Sequence, residues 1–355
     1  MGKSTRIGLD ISTSSVRAAQ LSVKDGVFRL DRFAQMPLPV GAVVNGEVLD
    51  PIAVGTAIKH LWKAGRFKGK EVSIGVASQR VVVRQVDIPY MSPQDRAKAL
   101  PLMVADQIPM PVDDAVLDFV PLEQVPGVDG ATVARGLLVA AAEEPILASI
   151  AAAEAGGLTV TDVDLTPFAT VRSLARADPL GMAVETEAVI DIGASTTTLV
   201  VHSNGIPQFV RLLMMGGQDV TTRLMEDLGV NLPTAESLKR ETTLTDESAM
   251  ASDAHSPAGV MSSVVQSLVE ELRGSLDYFQ ATGTTARLDR IILTGGGSLV
   301  PGFEQQLEEA TGLPVRRGTA LTALGPGQSG LSDDHLAFAD PLSAAAVGLA
   351  IWDDV

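Results

Sequence analysis

The sequence predicts an α/β protein built from two homologous halves that face each other across a cleft. Three observations carry this prediction. The stretch Ala188–His202, AVIDIGASTTTLVVH, reads as an apolar strand, a turn of small and hydroxyl-bearing residues, and a second apolar strand. Residues Ile7–Leu21, IGLDISTSSVRAAQL, superimpose on it without a gap: Leu9-Asp10-Ile11-Ser12 lies on Ile190-Asp191-Ile192-Gly193, and Thr13-Ser14-Ser15 on Ala194-Ser195-Thr196. A repeat of this kind implies duplicated half-molecules. The third observation is a glycine cluster, Ile291–Gly302 (IILTGGGSLVPG), which follows a β-branched run and precedes a helical pattern.

The hairpins suit anion binding. Gly193 lets backbone N–H groups approach a bound anion because no Cβ intervenes. Ser195, Thr196 and Thr197 add hydroxyl donors, and Asp191 can hold a hydrated Mg²⁺ against phosphate oxygens. A single copy could equally be an ordinary hairpin with a polar turn; the second copy favours the phosphate reading.

Composition sets bounds. A chain of 355 residues has room for two or more domains, and its low aromatic content (4%) predicts aliphatic cores. With no cysteine, disulfide, Cys-zinc and Cys-nucleophile chemistry are excluded. His60, His202, His255 and His335 are scattered without metal-ligand spacing. A net charge of −16 argues against nucleic acid and against direct electrostatic binding to anionic membrane. No apolar run approaches the roughly 20 residues that span a bilayer, and no signal peptide is evident, so a cytoplasmic location is expected. Gly2-Lys3-Ser4-Thr5 looks like the end of a P-loop but lacks the upstream glycine and strand.

Taken in order, the first hairpin is followed by a strand at Val27–Ala34, an amphipathic helix at Asp50–Lys63, and strands at Glu71–Ala77 and Arg80–Ile88. Ser92-Pro93-Gln94-Asp95 is a helix start with Ser92 as N-cap. That helix stops at Pro109-Met110-Pro111. Strands near Val116–Leu122 and Thr132–Ala141 come next, separated by a turn at Pro126–Gly130, and then a helix at Glu144–Ala155. The expected organisation is a first half (1–91), an inserted α-β-β-α unit (92–157), a return to the first half (158–187) through a strand and helix, and a second half (188–340). The second half holds helices at Asp219–Leu228, Thr234–Arg240, Val260–Gln280 and Phe303–Thr311. Glu241–Pro257, acidic and aperiodic, reads as a surface loop. An Ala-rich helix within 341–355 is expected to pack back on the first half.

As a set, the two hairpins and the glycine cluster resemble the phosphate loops and adenosine motif of the actin-like ATPases. The whole chain resembles the PilM family of type IV pilus assembly proteins and, more distantly, FtsA. Further stretches carry the likeness: Gln107-Ile108-Pro109, Asp118-Phe119-Val120, Leu138–Ala141, Ala155–Leu158, Asp164–Ala169 and Ala235–Arg240. The resemblance implies an actin-like ATPase fold whose inserted unit is a small SHS2-like, peptide-binding subdomain.

It also implies roles. Asp10 and Asp191 would flank Mg²⁺. Ser12, Thr13, Ser14 and Ser15, with Arg17, would grip the phosphates of ATP from one side, and Gly193, Ala194, Ser195 and Thr196 from the other. Gly216 and Gly217 form a tight turn beside them. Gly295, Gly296, Gly297 and Ser298 would lie against the adenosine, with Glu236, Lys239 and Arg240 near base and ribose. Glu236 and Lys239 are equally readable as an exposed (i, i+3) pair worth a few tenths of a kcal/mol. Asp164 is the candidate for positioning a water, with helix capping as its alternative.

Two positions depart from the family pattern. Ser12 stands where glycine is usual, which costs roughly 1 kcal/mol if the turn needs positive φ. Arg17 stands where lysine is usual and presents a planar fork to phosphate. Binding without efficient hydrolysis is therefore expected, at most a slow ATPase. The implied partner is the cytoplasmic N-terminal peptide of a PilN-like bitopic membrane protein, which would keep the chain at the inner face of the plasma membrane without inserting. Its groove is expected between the first half and the inserted unit, along Val116–Leu122 and Val81–Ile88. Self-association is a further possibility. The alternatives are a sugar or small-metabolite kinase of the same superfamily, for which no sugar-reading cluster is evident, and an FtsA-like division protein. The acidic end Ile351–Val355 disfavours FtsA-type membrane anchoring.

Overall fold

The computed structural model describes residues 5–127, 131–175, 186–244, 255–281, 287–325, 327 and 329–351. Parts of the expected turn at 126–130, the connection at 177–185, the acidic loop at 241–257 and the chain end at 352–355 lie outside the described residues.

The first half begins with β1 (Thr5–Ile11), β2 (Ser15–Lys24) and β3 (Val27–Pro37), an antiparallel meander in which Asp10 opposes Arg17. A small hairpin, β4 (Val43–Val44) and β5 (Glu47–Val48), leads to α1 (Pro51–Gly65). Asp50 caps α1 by accepting from the Ile52 and Ala53 N–H groups at 3.1 and 2.9 Å. Then β6 (Glu71–Val76) pairs parallel to β1.

The chain next leaves the sheet. β7 (Val81–Pro89), α2 (Pro93–Val104), β8 (Ala115–Pro126) and β9 (Thr132–Ala142) form a separate three-stranded sheet in the order β7-β9-β8, with α2 on one face. Its core joins Val86, Ile88, Leu100, Val104, Phe119 and Leu138. The inserted unit thus occupies 81–142 rather than the expected 92–157. The β-strand Val81–Pro89 belongs to it because it pairs with β9 along its whole length. Conversely, α3 (Glu143–Ala155) belongs to the first half, since Ala152 and Ala153 pack with Val54, Ile58 and Leu61 of α1. The ends of the insertion are neighbours: the Ala142 N–H donates to the Arg80 carbonyl at 3.1 Å.

β10 (Thr159–Leu165) returns to pair parallel to β6, and α4 (Thr166–Leu174) follows. The second half repeats the plan with β11 (Glu187–Ile192), β12 (Thr197–Ser203) and β13 (Ile206–Leu213) as the meander, then α5 (Gly217–Leu228), α6 (Leu232–Glu241) and α7 (Pro257–Ala281). β14 (Arg290–Thr294), α8 (Phe303–Thr311) and β15 (Val315–Arg317) complete it. The sheet orders β3-β2-β1-β6-β10 and β13-β12-β11-β14-β15 match strand for strand, each with an antiparallel meander followed by two parallel strands. The duplication read from two hairpins extends to both whole sheets.

α9 (Asp333–Ala350) starts eight residues before the expected helix, capped by Ser332, whose Oγ accepts the His335 N–H at 3.3 Å. It runs through Pro341 and packs on the first half. A core shared by both halves surrounds it: Ala19, Leu21 and Leu30 from one, Val189, Val200 and Val210 from the other, with Val347 between. The halves are therefore welded by apolar contact even without a ligand.

Candidate functional site: a cleft between paired turns

The two hairpin turns have the same internal geometry. The Ser12 N–H donates to the Ser15 carbonyl at 3.0 Å, and the Gly193 N–H to the Thr196 carbonyl at 2.8 Å. Each turn follows a strand whose penultimate residue is an aspartate, so both carboxylates come to the same end of their sheets. The turns meet across the cleft, where Thr13 Oγ1 and Ser195 Oγ lie 2.6 Å apart and share a hydrogen bond.

Behind this contact sit the carboxylates. Asp10 is buried, and burial raises its pKa against the opposing pull of Arg17, whose Nη1 lies 3.2 Å from Asp10 Oδ2. Burial pushes Asp191 up to about 6, with the charge of Asp10 adding to the effect. Two acids that each resist ionisation beside the other form a site that a cation would relieve. Mg²⁺ needs only one or two protein carboxylates, completing its shell with water and phosphate oxygens. Buried donors point the same way: Ser15 Oγ and Arg17 Nε have no hydrogen-bond partner in this structure, as phosphate-binding groups would not without their anion. The residues present fit a Mg-nucleotide.

Ser12 is accommodated without strain. Among the described residues, Asp25, Asn45, Arg66 and Asn204 are the non-glycine residues with positive φ, so the turn does not demand the conformation that would penalise serine. Its Oγ donates to the Ser15 carbonyl at 2.9 Å and accepts from Arg17 Nη1 at 3.3 Å. Arg17 thus ties Asp10 to the turn, a two-point role suited to its guanidinium fork.

The glycines act by close approach. A Cβ on Gly295, whose φ is +88°, would stand 2.3 Å from Asp191 Oδ1, and one on Gly297 2.3 Å from Ile192 Cγ2. Ser298 Oγ braces the turn by donating to the Gly295 carbonyl at 2.6 Å, while Gly296 is exposed. At the start of α5, the Gly217 and Gln218 N–H groups donate to the carbonyls of Gly193 and Ala194 at 2.9 and 2.7 Å. The Gly216 N–H goes to Asp219 Oδ2 at 2.7 Å. Gly216 and Gly217 therefore brace the second turn, with their N–H donors bonded inside the fold.

Glu236, Lys239 and Arg240 come together on α6 beside the same glycines. Lys239 Nζ donates to the Gly217 carbonyl at 3.1 Å, to Thr221 Oγ1 at 2.7 Å and to Glu236 Oε1 at 2.7 Å. Burial alone would raise the Glu236 pKa, but the bonds from Lys239 and Thr221 outweigh it and hold the carboxyl below its ordinary range. Arg240, 3.6 Å from Glu236, is largely exposed. This is a tertiary network rather than an isolated helix pair. Sequence reasoning missed Thr221, whose only signal is its position one helical turn beyond Gly217.

Asp164 is engaged elsewhere. Arg172 of α4 holds its Oδ2, and the Leu165 N–H donates to its Oδ1 at 2.7 Å. Arg172 also donates to the Gly348 carbonyl of α9 at 3.1 Å. The carboxylate expected to position a water instead ties β10 to α4 and α9. Among the described residues no group of three or more His, Asp or Glu side chains forms a protein-only metal site.

The family described as type IV pilus assembly protein PilM matches residues 8–353, nearly the whole chain. The chain belongs to the PilM family. Its fold is the actin-like one, and a solved PilM–PilN type IV pilus biogenesis complex superimposes with a TM-score of 0.84 at 26% identity, covering 98% of this chain and 97% of that one. MreB5 of Spiroplasma citri bound to AMPPNP shares the fold alone, with a TM-score of 0.52 at 14% identity over 97% and 94% of the two chains. Among sequences, FtsA of Streptococcus pneumoniae is 24% identical over 87% of this chain and 74% of its own length. FtsA of Neisseria meningitidis is 26% identical over 96% and 88%. PilM membership thus sits within a wider kinship with FtsA, as the motifs implied.

Proposed function

We propose that this PilM-family protein is a nucleotide-dependent assembly component of a type IV pilus machine. ATP binds with Mg²⁺ between the two turns, and the molecule so held presents a groove to the cytoplasmic peptide of a PilN-like bitopic membrane protein. The protein would thereby sit at the inner face of the plasma membrane through its partner. The observation that carries this reading is the pair of turns closed by the same backbone bond and meeting at Thr13 and Ser195, with Asp10 and Asp191 behind them.

On binding, the two hydroxyls would exchange their mutual bond for phosphate oxygens, so the ligand replaces a contact between the halves with a tighter, charge-assisted one. Ser15 Oγ and Arg17 Nε gain the acceptors they lack. Asp10 and Asp191 would hold Mg²⁺, which neutralises phosphate charge. The glycine cluster and the Glu236–Lys239–Thr221 network flank the nucleoside. With Asp164 committed to Arg172, no free carboxylate remains among the assigned residues to activate water, so hydrolysis is slow.

For the peptide, a groove of about 730 Å³ runs between the inserted unit and the second half, rather than the first half as the sequence suggested, lined by Val81, Val83, Leu137, Phe209, Met214 and Tyr278. Its walls, β7 and β13, are edge strands of their sheets, so an extended peptide can add to either. The groove uses the Val81–Ile88 strand; Val116–Leu122 lines a smaller hollow on the far side, against α2.

Calorimetric titration tests the nucleotide site. The protein should bind Mg-ATP, and Asp191→Ala should weaken binding at least about tenfold. Undiminished affinity in that variant would dispose of the two-turn site.

A further inference from the structure

We propose that the cationic face formed by the second half of α1 and the loop after it, Lys59–Lys70, is a docking surface for an anionic bilayer leaflet. The inference rests on the reading that the partner is a membrane protein, which brings the chain beside that leaflet.

The surface begins as a charge asymmetry in the sequence. Between Asp50 and Glu71 there is no carboxylate, yet Lys59, Lys63, Arg66, Lys68 and Lys70 fall there together with His60. The chain as a whole carries −16. All five cations are exposed. None has an ion-pair partner among the described residues, whereas Arg80, Arg135, Arg172, Arg290 and Arg317 are each matched to a carboxylate. Cations at a helix C-terminus complement its dipole, which accounts for Lys63 in the last turn of α1 but not for the loop residues.

The loop is held rigid while carrying its charges. Arg66 takes the left-handed conformation (φ 52°) and turns the chain back beneath α1. Trp62 packs against Phe67 with ring centroids 4.8 Å apart, and its Nε1 donates to the Gly69 carbonyl at 3.0 Å. Gln20, buried within the sheet, grips Lys68 by both backbone groups, at 2.9 and 3.1 Å. The Lys70 carbonyl accepts the Thr159 N–H at 2.8 Å. Four anchors therefore fix a short loop whose outward side chains are cationic. So much fixation of a surface loop suits presentation of a defined face, with an aromatic pair at its centre that can meet the headgroup region.

Net charge does not forbid this contact. Ionic screening confines each charge to about 10 Å at ordinary salt, so a leaflet senses the nearest face and little of the acidic remainder. That remainder is repelled, which orients the molecule with Lys59–Lys70 toward the membrane. Gln20 lies on β2 about 17 Å from the phosphate turn, at ~3.4 Å per residue, so the docked protein keeps its cleft away from the lipid. Each cation near the surface multiplies partitioning by about fivefold.

Sedimentation of the full chain with vesicles, in the absence of any partner, tests the proposal. The protein should pellet with phosphatidylglycerol-containing vesicles and not with pure phosphatidylcholine, and binding should fall as salt rises. The variant carrying Lys63→Glu, Arg66→Glu and Lys68→Glu should lose at least about a hundredfold in partitioning, while keeping Mg-ATP binding and capture of a partner peptide, measured separately. If thermal unfolding shows that variant to be destabilised, the glutamine version should still lose most of the binding. Failure to pellet with anionic vesicles at low salt, or equal pelleting of the charge variants, would overturn the assignment. So would tighter binding to duplex DNA than to the vesicles. Loss of ATP or peptide binding in the wild-type chain would instead count against the assembly reading alone.

Discussion

At the scale of single residues, the candidate site holds a carboxylate at a cost to stability. Asp191 carries a folded-state pKa of about 6, while an unfolded aspartate ionises near 3.9. Its charge at neutral pH therefore opposes folding, by about 1–3 kcal/mol. Asp191→Asn, which keeps the shape and removes the charge, should raise the ligand-free unfolding free energy by that amount while weakening Mg-ATP binding; chemical denaturation without nucleotide reads the first effect. A loss of stability would mean that the carboxylate is supported rather than opposed by its surroundings. His202 works in the opposite sense. It is 2% exposed, accepts the Gly205 N–H on Nδ1 at 3.2 Å, and is pushed down to about 4 by burial, with Arg290 adding. It stays neutral in the fold, whereas the unfolded chain takes up a proton near 6.5. Above that pH the two states bind equally few protons and stability is full; as pH falls toward 4 the unfolded state gains, and about 3 kcal/mol is lost. His202→Asn, which preserves the acceptor, should flatten the stability profile across this window. Parallel profiles for variant and wild type would assign the acid sensitivity elsewhere.

At the scale of elements, close packing sets the fold's tolerances. α9 crosses α4 where a Cβ on Gly348 would meet the Ala169 carbonyl at 1.7 Å, so Gly348→Ala must push the helices apart. The expected destabilisation is about 2–3 kcal/mol, read as a shift of the denaturant midpoint; a neutral result would show that α9 can slide. The inserted unit should be separable, because its ends are bonded through Arg80 and Ala142 and the core beneath α2 is its own, although Val81, Val139 and Ala141 also pack on Val76, Ile146 and Leu165 of the first half. Excising 81–142 across a short linker should spare nucleotide binding and abolish capture of the partner peptide. Capture by the folded, truncated chain would move the groove elsewhere. Much of this architecture was legible in the sequence. Duplication of the Asp10 and Asp191 hairpins signalled the two-halved plan because the periodic strand pattern and polar turn are local features. The boundary at 92 was not legible: Val81–Pro89 reads as a strand from its own residues, but which sheet it joins depends on its pairing with β9. Asp164 likewise looked available because Arg172, its partner on the next helix, is placed by tertiary packing. Thr221 carried only its spacing from Gly217, and its bonds to Glu236 and Lys239 exist only once α6 folds against α5.

At the scale of the whole molecule, the two halves share an apolar core with α9 running between them. The purified protein should hydrolyse ATP far below the roughly 10 per second of a median enzyme, and a coupled phosphate-release assay measures it. Turnover at that ordinary rate would require a water-activating group that Asp164, held by Arg172, does not supply. The path of α9 has a mechanical consequence. Its middle is fastened to the second half: the Pro341 carbonyl accepts from the Gly295 N–H at 2.7 Å and Thr294 Oγ1 at 3.1 Å, and Asp340 takes the Leu321 N–H at 2.6 Å. Its far end lies under the first half, where Gly8 admits Ala346 and Ala350. The helix is thus a lever with its fulcrum beside Asp191, and torque applied to the first half arrives at the glycines of the nucleotide cleft. A pull on the first half would therefore be felt at Gly295, which stands directly against the Asp191 carboxylate.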